Sequence, residues 1–112
     1  MVVSVGSDEL LLCPKVQRVF TLFGKRWSGL IIDLLLQRPA RFTELARAIP
    51  GISERVLAER LRELEDAGIV DRDVRPGRPV SVTYTLTSRG AALAPAMDAL
   101  RDWAASDQSA AG

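Results

Sequence analysis

Apolar positions along the chain follow two different periods. Val16, Val19, Phe20 and Phe23 are spaced i, i+3, i+4 and i+7, so they share one face of a helix. Pro14 suits the first turn of that helix, where its missing N–H needs no partner, and Cys13 precedes it. Gly24 ends it. Trp27, Leu30, Ile31, Leu34 and Leu35 repeat the spacing and predict a second helix, stopped at Arg38-Pro39. Phe42, Leu45, Ala46 and Ile49 predict a short third helix, and Pro50-Gly51 is a turn dipeptide. Ser53 is then a good N-cap, its oxygen free to accept from the next turn's amides. The fourth helix reaches about Ala67, with Leu57, Leu61 and Leu64 as its buried stripe. Gly68 stands where a left-handed C-terminal cap is expected.

The period then drops to two. Val70, Arg72 and Val74 alternate with Asp71, Asp73 and Arg75. Pro76-Gly77-Arg78-Pro79 is a turn, and Val80, Val82, Tyr84 and Leu86 alternate with Ser81, Thr83 and Thr85 as a half-buried strand. The result is a β-hairpin with a basic tip. Thr87 caps a last helix in which Leu93, Met97, Leu100 and Ala104 share a face beside Trp103. Pro95 is expected to kink this helix or loosen a turn. A short helix, a tight turn and a longer capped helix make a helix-turn-helix, and the hairpin after it is a wing. The fold class is mainly α with a small β-hairpin, a winged helix-turn-helix. Residues 13–105 form the domain, between a flexible N-terminal segment (1–12) and a frayed tail (106–112).

Composition narrows the chemistry. At 112 residues there is room for one core. One cysteine and no histidine exclude an internal disulfide framework, Cys/His zinc sites and imidazole catalysis. There is no nucleophile–base pair, Gly-rich phosphate loop or metal set, so neither an enzyme nor a cofactor is expected. Leu10-Leu11-Leu12-Cys13 faintly resembles a lipoprotein cleavage site. It lacks a positive n-region, has acids before the leucines, and has a large residue before the cut. No apolar run approaches the ~20 residues that span a bilayer. The expectation is a cytoplasmic protein, with no membrane partner and with Cys13 as a free thiol. A chain this short buries roughly two-thirds of its surface, so a homodimer is favoured.

Net charge is only +1, yet residues 14–62 carry ten Lys or Arg against four acids. That half of the chain suits an acidic polymer. With Leu57 at zero on a helical wheel, Arg55 falls at about 160°, Arg62 at about 140° and Glu59 at about 200°, opposite the buried stripe. Arg60, at about −60°, lies near the core edge and is expected to pair with an acid. Major-groove readout needs long donors on the outer face near the helix start, which Ser53 and Arg55 meet. Arg62 lies within reach of phosphate. Glu59 either accepts from a cytosine amino group or holds Arg55 or Arg62 in place. Arg72, Arg75 and Arg78 sit on the wing, with Arg78 the best candidate for a backbone or minor-groove contact. Arg41 and Thr43 stand where the third helix's dipole and free amides favour a phosphate. Against this, residues 53–66 carry three Arg and five acids, a poor balance for a DNA-binding helix.

The residues together resemble the HxlR-type winged helix-turn-helix transcription regulators. The resemblance runs from Cys13-Pro14 through Gly24-Lys25-Arg26-Trp27, Arg41-Phe42-Thr43-Glu44-Leu45 and Ile49-Pro50-Gly51-Ile52-Ser53. It continues with Leu57, Leu61-Arg62-Glu63-Leu64-Glu65 and Gly68-Ile69-Val70, then Val82-Thr83-Tyr84-Thr85-Leu86-Thr87 and Gly90. It covers about residues 13–104. It implies a bacterial, dimeric regulator binding double-stranded DNA at an inverted-repeat operator, with repression the expected sign. The terminal helices would then form the dimer interface, through Val16, Val19, Phe20 and Phe23 and through Leu93, Met97, Leu100 and Trp103. Each stripe has monomer core as its alternative. In several members a Cys at the position of Cys13 senses electrophiles, quinones or oxidants. A thiol beside a helix start, near Lys15 and Arg18, suits that role physically. This chain departs from members that link this Cys to a second one, because it has no second Cys. It also has Arg26 between the Gly24-Lys25 step and Trp27, where the family pattern commonly runs from a glycine pair to Lys-Trp.

The leading expectation is therefore a dimeric, sequence-specific DNA-binding regulator. The acidic half of the fourth helix motivates the alternative, a winged-helix protein–protein adaptor without specific DNA binding. A small-molecule or electrophile effector is a further expected partner, at a site lined by Trp27, Phe20, Phe23 and Met97 unless these are plain core.

Overall fold

α-Helices begin in this chain at a proline (Pro14) and at side-chain caps (Ser53 and Thr87). The computed structural model describes residues 9–111, with side chains up to residue 106. The elements are α1 (Pro14–Phe23), α2 (Ser28–Gln37), α3 (Phe42–Ala48), α4 (Glu54–Asp66), β1 (Val70–Arg75), β2 (Ser81–Leu86), α5 (Ser88–Ala91) and α6 (Ala94–Ala111). This is the expected winged helix-turn-helix, mainly helical with a two-stranded antiparallel wing. The expected flexible segment falls mostly on residues 1–8, which lie outside the described residues, as does Gly112.

Two caps define α4. Ser53 Oγ accepts from the Val56 amide at 3.1 Å. At the other end the Gly68 amide donates to Glu65 O and the Ile69 amide to Leu64 O, at 3.0 and 2.9 Å. This closure needs a left-handed residue, and Gly68 supplies it at φ +76°. Between the caps, Leu57, Leu61 and Leu64 are fully buried, as their spacing predicts. They pack with Ile31 and Ile32 of α2, Leu45 of α3, and Ile69, Val70 and Tyr84. Each fully buried Leu or Ile contributes roughly 1.5–3 kcal/mol.

Four features differ from the sequence reading. The buried face of α2 is Ser28, Ile31, Ile32 and Leu35, whereas Leu30 is 49% exposed. Because α2 is apolar nearly all round, periodicity cannot select its inner face, and packing against α4 and β2 does so. The last helix is divided. Thr87 caps α5, the chain turns at Ala92-Leu93, and α6 begins one residue before Pro95. Proline has no N–H for a carbonyl in the preceding turn, so the two pieces separate there. α6 then continues to Ala111, past the expected domain end at 105.

The wing is also less buried than its alternation suggests. Val70 opens β1 buried, but the rest of β1 is exposed, and Tyr84 is the only buried residue of β2. The ribbon projects from the core: Val82 and Leu86 pack partly against it, while Val74 and Val80 are 47% and 59% exposed. Its base is pinned by a short bridge that sequence reasoning missed. The Ala40 amide donates to Tyr84 O at 3.0 Å, and the Tyr84 amide donates to Ala40 O at 2.7 Å.

Thr87 and Arg89 tie the wing's exit to the end of α4. Thr87 Oγ1 donates to Gly68 O at 2.6 Å and accepts from the Gly90 amide at 3.1 Å, while Arg89 donates to Ala67 O at 3.1 Å. Gly90 is required here, since a Cβ would collide with the Ile69 carbonyl and the Leu86 side chain. The terminal helices sit differently. No residue of α1 is buried, and the Cα radius of gyration is 17.2 Å. A globular chain of this length has about 13 Å, so the helical ends extend away from the core.

Candidate nucleic-acid interface

The outer face of α4 begins directly after its cap. Capping uses one lone pair of Ser53 Oγ and leaves its hydrogen to donate. Arg55, Glu59 and Arg62 follow at i, i+4 and i+7, on one side of the helix. Arg55 and Arg62 are exposed, and Glu59 is half-exposed. Arg55 pairs with Glu59 at 3.2 Å, with its side chain still 79% exposed. Of the two roles weighed for Glu59, this geometry supplies the positioning one. Arg62 has no side-chain partner among the described residues.

Glu59 belongs to a longer chain of charges. Arg60 lies at the core edge, its side chain 16% exposed; it hydrogen-bonds Glu63 at 2.7 Å and forms a looser ion pair with Glu59 at 3.8 Å. Its Nε is buried without a partner among the described residues. Lys25, from the α1–α2 turn, reaches Glu63 at 2.8 Å. Lys25 and Arg60 together hold the Glu63 carboxyl below the usual carboxylate range. Two of the five acids of α4 are thus occupied within the fold, which the charge count of the helix could not show. The pairing of Lys25 with Glu63 spans 38 residues, and no local pattern announces it.

At the start of α3, Arg41 and Thr43 are exposed as expected. A negative charge already sits there. Glu44 accepts from the Arg41 amide at 2.8 Å and from Arg38 at 2.9 Å, and this holds its carboxyl at about 2. Arg38 is the larger cause and the Arg41 amide the second. The dipole argument for a phosphate at this helix start missed Glu44. The signal was legible, since an acid three residues after the N-cap is the capping-box spacing. On the wing, Arg78 is exposed at the tip without a side-chain partner among the described residues, as is Arg72. Arg75 is exposed but pairs with Asp73 at 3.2 Å.

The residues assigned to a dimer surface divide. Val16, Val19, Phe20, Leu100 and Trp103 are between 45% and 67% exposed, so they are not core of this chain. Phe23 and Leu93 pack partly against the core, and Met97 is half-buried. Leu30 joins the exposed apolar set and lines a shallow groove with Phe23, Met97 and Leu100. The four residues expected to line an effector site do not come together. Trp27 lies under Arg26, 4.5 Å from its guanidinium carbon, and packs near Gly51, away from the groove of Phe23 and Met97. Cys13 is an exposed free thiol at the N-cap of α1.

A capped helix-turn-helix with a basic wing defines a DNA-binding regulator of the winged-helix class. The HxlR-like helix-turn-helix family profile matches residues 22–111, and the chain belongs to that family. It is 50% identical over 93 residues to the HTH-type transcriptional regulator YodB of Bacillus subtilis (strain 168), covering 83% of each chain. The solved reduced form of YodB superposes with a TM-score of 0.76, covering 88% of this chain and 94% of that one. A quinone-bound structure of YodB matches with a TM-score of 0.73 at 46% identity, covering 85% of this chain and 99% of that one. The redox regulator HypR in its reduced form matches with a TM-score of 0.79 at 34% identity, covering 84% and 93%. Among the described residues no helix is long and apolar enough to cross a membrane.

Proposed function

We propose that the chain is a homodimeric, sequence-specific DNA-binding transcription regulator that represses at inverted-repeat operators. The observation that carries this reading is the exposed outer face of α4. There Ser53 and Arg55 stand at the capped helix start, Glu59 pairs with Arg55, and Arg62 has no side-chain partner among the described residues. Such a face enters a major groove, with Arg78 and Arg75 of the wing and Arg41 and Thr43 of α3 meeting the flanking backbone. The dimer reading is supported by α1 and α6, whose apolar stripes are uncovered by their own chain. A twofold pair of α4 helices matches an inverted repeat.

Cys13 is proposed to make the regulator responsive to electrophiles or oxidants. It is exposed at the start of α1, on the proposed dimer surface, and the relative YodB has been solved with quinone bound. Its thiolate adds to an electron-poor carbon of a quinone, or couples to a second thiol as an azo oxidant such as diamide takes up the two electrons and two protons and becomes a hydrazine. The adaptor reading is weakened because Glu59 and Glu63 are held by Arg55, Arg60 and Lys25 instead of facing a basic partner.

The test is gel-shift binding to DNA upstream of the chain's own gene, across a salt series. A selective shift with a steep salt dependence is expected, since phosphate contacts release counterions. Arg55→Ala, with circular dichroism unchanged, should weaken the shift by about 1–3 kcal/mol. Unchanged affinity would defeat the proposed docking. Salt-insensitive, unselective binding would favour the adaptor.

A further inference from the structure

α1, the end of α4, α5 and the α5–α6 turn surround a groove of about 920 Å³. That is the size range of small-molecule sites. Leu22, Phe23, Leu64 and Leu93 give it an apolar wall. Lys15, Arg18, Lys25 and Arg89 line it against two acids, Glu63 and Asp66, a local excess of two positive charges. Lys15 and Arg18 have no side-chain partner among the described residues. Ser28 also lines the groove. It is 3% exposed, and its hydroxyl makes no hydrogen bond to the described residues. Its oxygen is open to the groove, where it can donate to or accept from a bound molecule.

We infer that this groove binds a small amphipathic organic anion, of the aromatic carboxylate type. Its ring lies on Leu22, Phe23 and Leu93. Its charge meets Lys15 and Arg18, and Ser28 meets a polar atom at the floor. A neutral apolar molecule would leave two cations and the hydroxyl unused, and a cation would be repelled. The site does not include Cys13, and it borders the groove of Met97 and Leu100, with which it shares Phe23 and Lys25.

The same groove touches the charge chain of α4. Lys25 and Glu63 line it, and from Glu63 the pairs run through Arg60 and Glu59 to Arg55. An anion in the groove competes with Glu63 for Lys25. Glu63 then binds Arg60 alone, Arg60 relaxes its hold on Glu59, and the setting of Arg55 changes. This coupling rests on the proposed DNA-reading role of α4, whereas binding in the groove does not.

The experiment titrates the whole chain with 2-naphthoate by calorimetry, with 2-naphthalenemethanol as the uncharged control. Saturable binding of one 2-naphthoate per chain is expected, with at least tenfold weaker binding of the alcohol. The double variant Lys15→Gln, Arg18→Gln should weaken 2-naphthoate about tenfold and Ser28→Ala severalfold. Arg101→Gln, in the other groove, should leave it unchanged. No saturation, equal binding of the alcohol, or sensitivity to Arg101→Gln alone overturns the site. So does a double variant that alters dimerisation but not 2-naphthoate binding, since a second copy would then cover the groove. In the gel shift, 2-naphthoate should change operator affinity severalfold in the native chain, and Glu59→Gln should remove that change while 2-naphthoate still binds. Binding without any change in operator affinity overturns the coupling. A chain that bound no DNA would overturn the regulator reading and leave the calorimetric result to decide the groove.

Discussion

α1 and α2 are both ten-residue helices in which apolar side chains recur at helical spacing, and they end in opposite environments. α2 buries Ser28, Ile31, Ile32 and Leu35 between α4 and the wing. α1 buries none of its residues, and Phe20 is 64% exposed. The clean amphipathic stripe belongs to the uncovered helix, and the nearly all-apolar pattern to the covered one. A strong stripe therefore marks a helix with one face to bury, without saying which chain covers it. A helix apolar nearly all round can bury one face in the chain's own core and still leave an apolar residue such as Leu30 exposed.

Core truncation should separate the two regions most sharply. Leu61→Ala removes a fully buried side chain of α4 and should cost about 2–5 kcal/mol, read as a lower midpoint in urea. The loss should remain at every protein concentration, and a loss under 1 kcal/mol would mean that α4 is not the centre of the core. Phe20→Asp should do the reverse. It should leave the fold's circular dichroism in place and shift sedimentation toward the monomer, with operator affinity falling about tenfold or more as paired half-sites are lost. An unchanged sedimentation coefficient would return the α1 stripe to the single chain.

Cys13→Ser should have the smallest structural effect, within about 0.5 kcal/mol, because the thiol is exposed and uncrowded. Operator binding under reducing conditions should match the native chain. Diamide should abolish binding by the native chain and spare the variant. Equal loss in both would place the response elsewhere.

Much of the candidate interface was legible because it is local. Ser53 caps α4 through its own third neighbour, Gly68 closes it, and the 100° step puts Arg55 and Arg62 opposite Leu57, Leu61 and Leu64. The basic wing follows from alternation and a Pro-Gly turn. Less legible was anything joining distant residues. Charge counting along α4 read an acidic helix, whereas Lys25 and Arg60 occupy Glu63, and Arg55 and Arg60 share Glu59. At the start of α3 the dipole argument omitted Glu44, which the capping-box spacing could have supplied.

The order of helices, the caps, the wing and the outward face of α4 are determined by the sequence itself, because each rests on groups within about a turn of one another. Tertiary structure decided the inner face of α2, the bridge from Ala40 to Tyr84, the charge chain from Lys25 to Arg55 and the place of Ser28 in its groove. The reason is that burial and pairing depend on what arrives from elsewhere in the chain. A residue's own neighbours fix its direction on the helix but not what that direction meets.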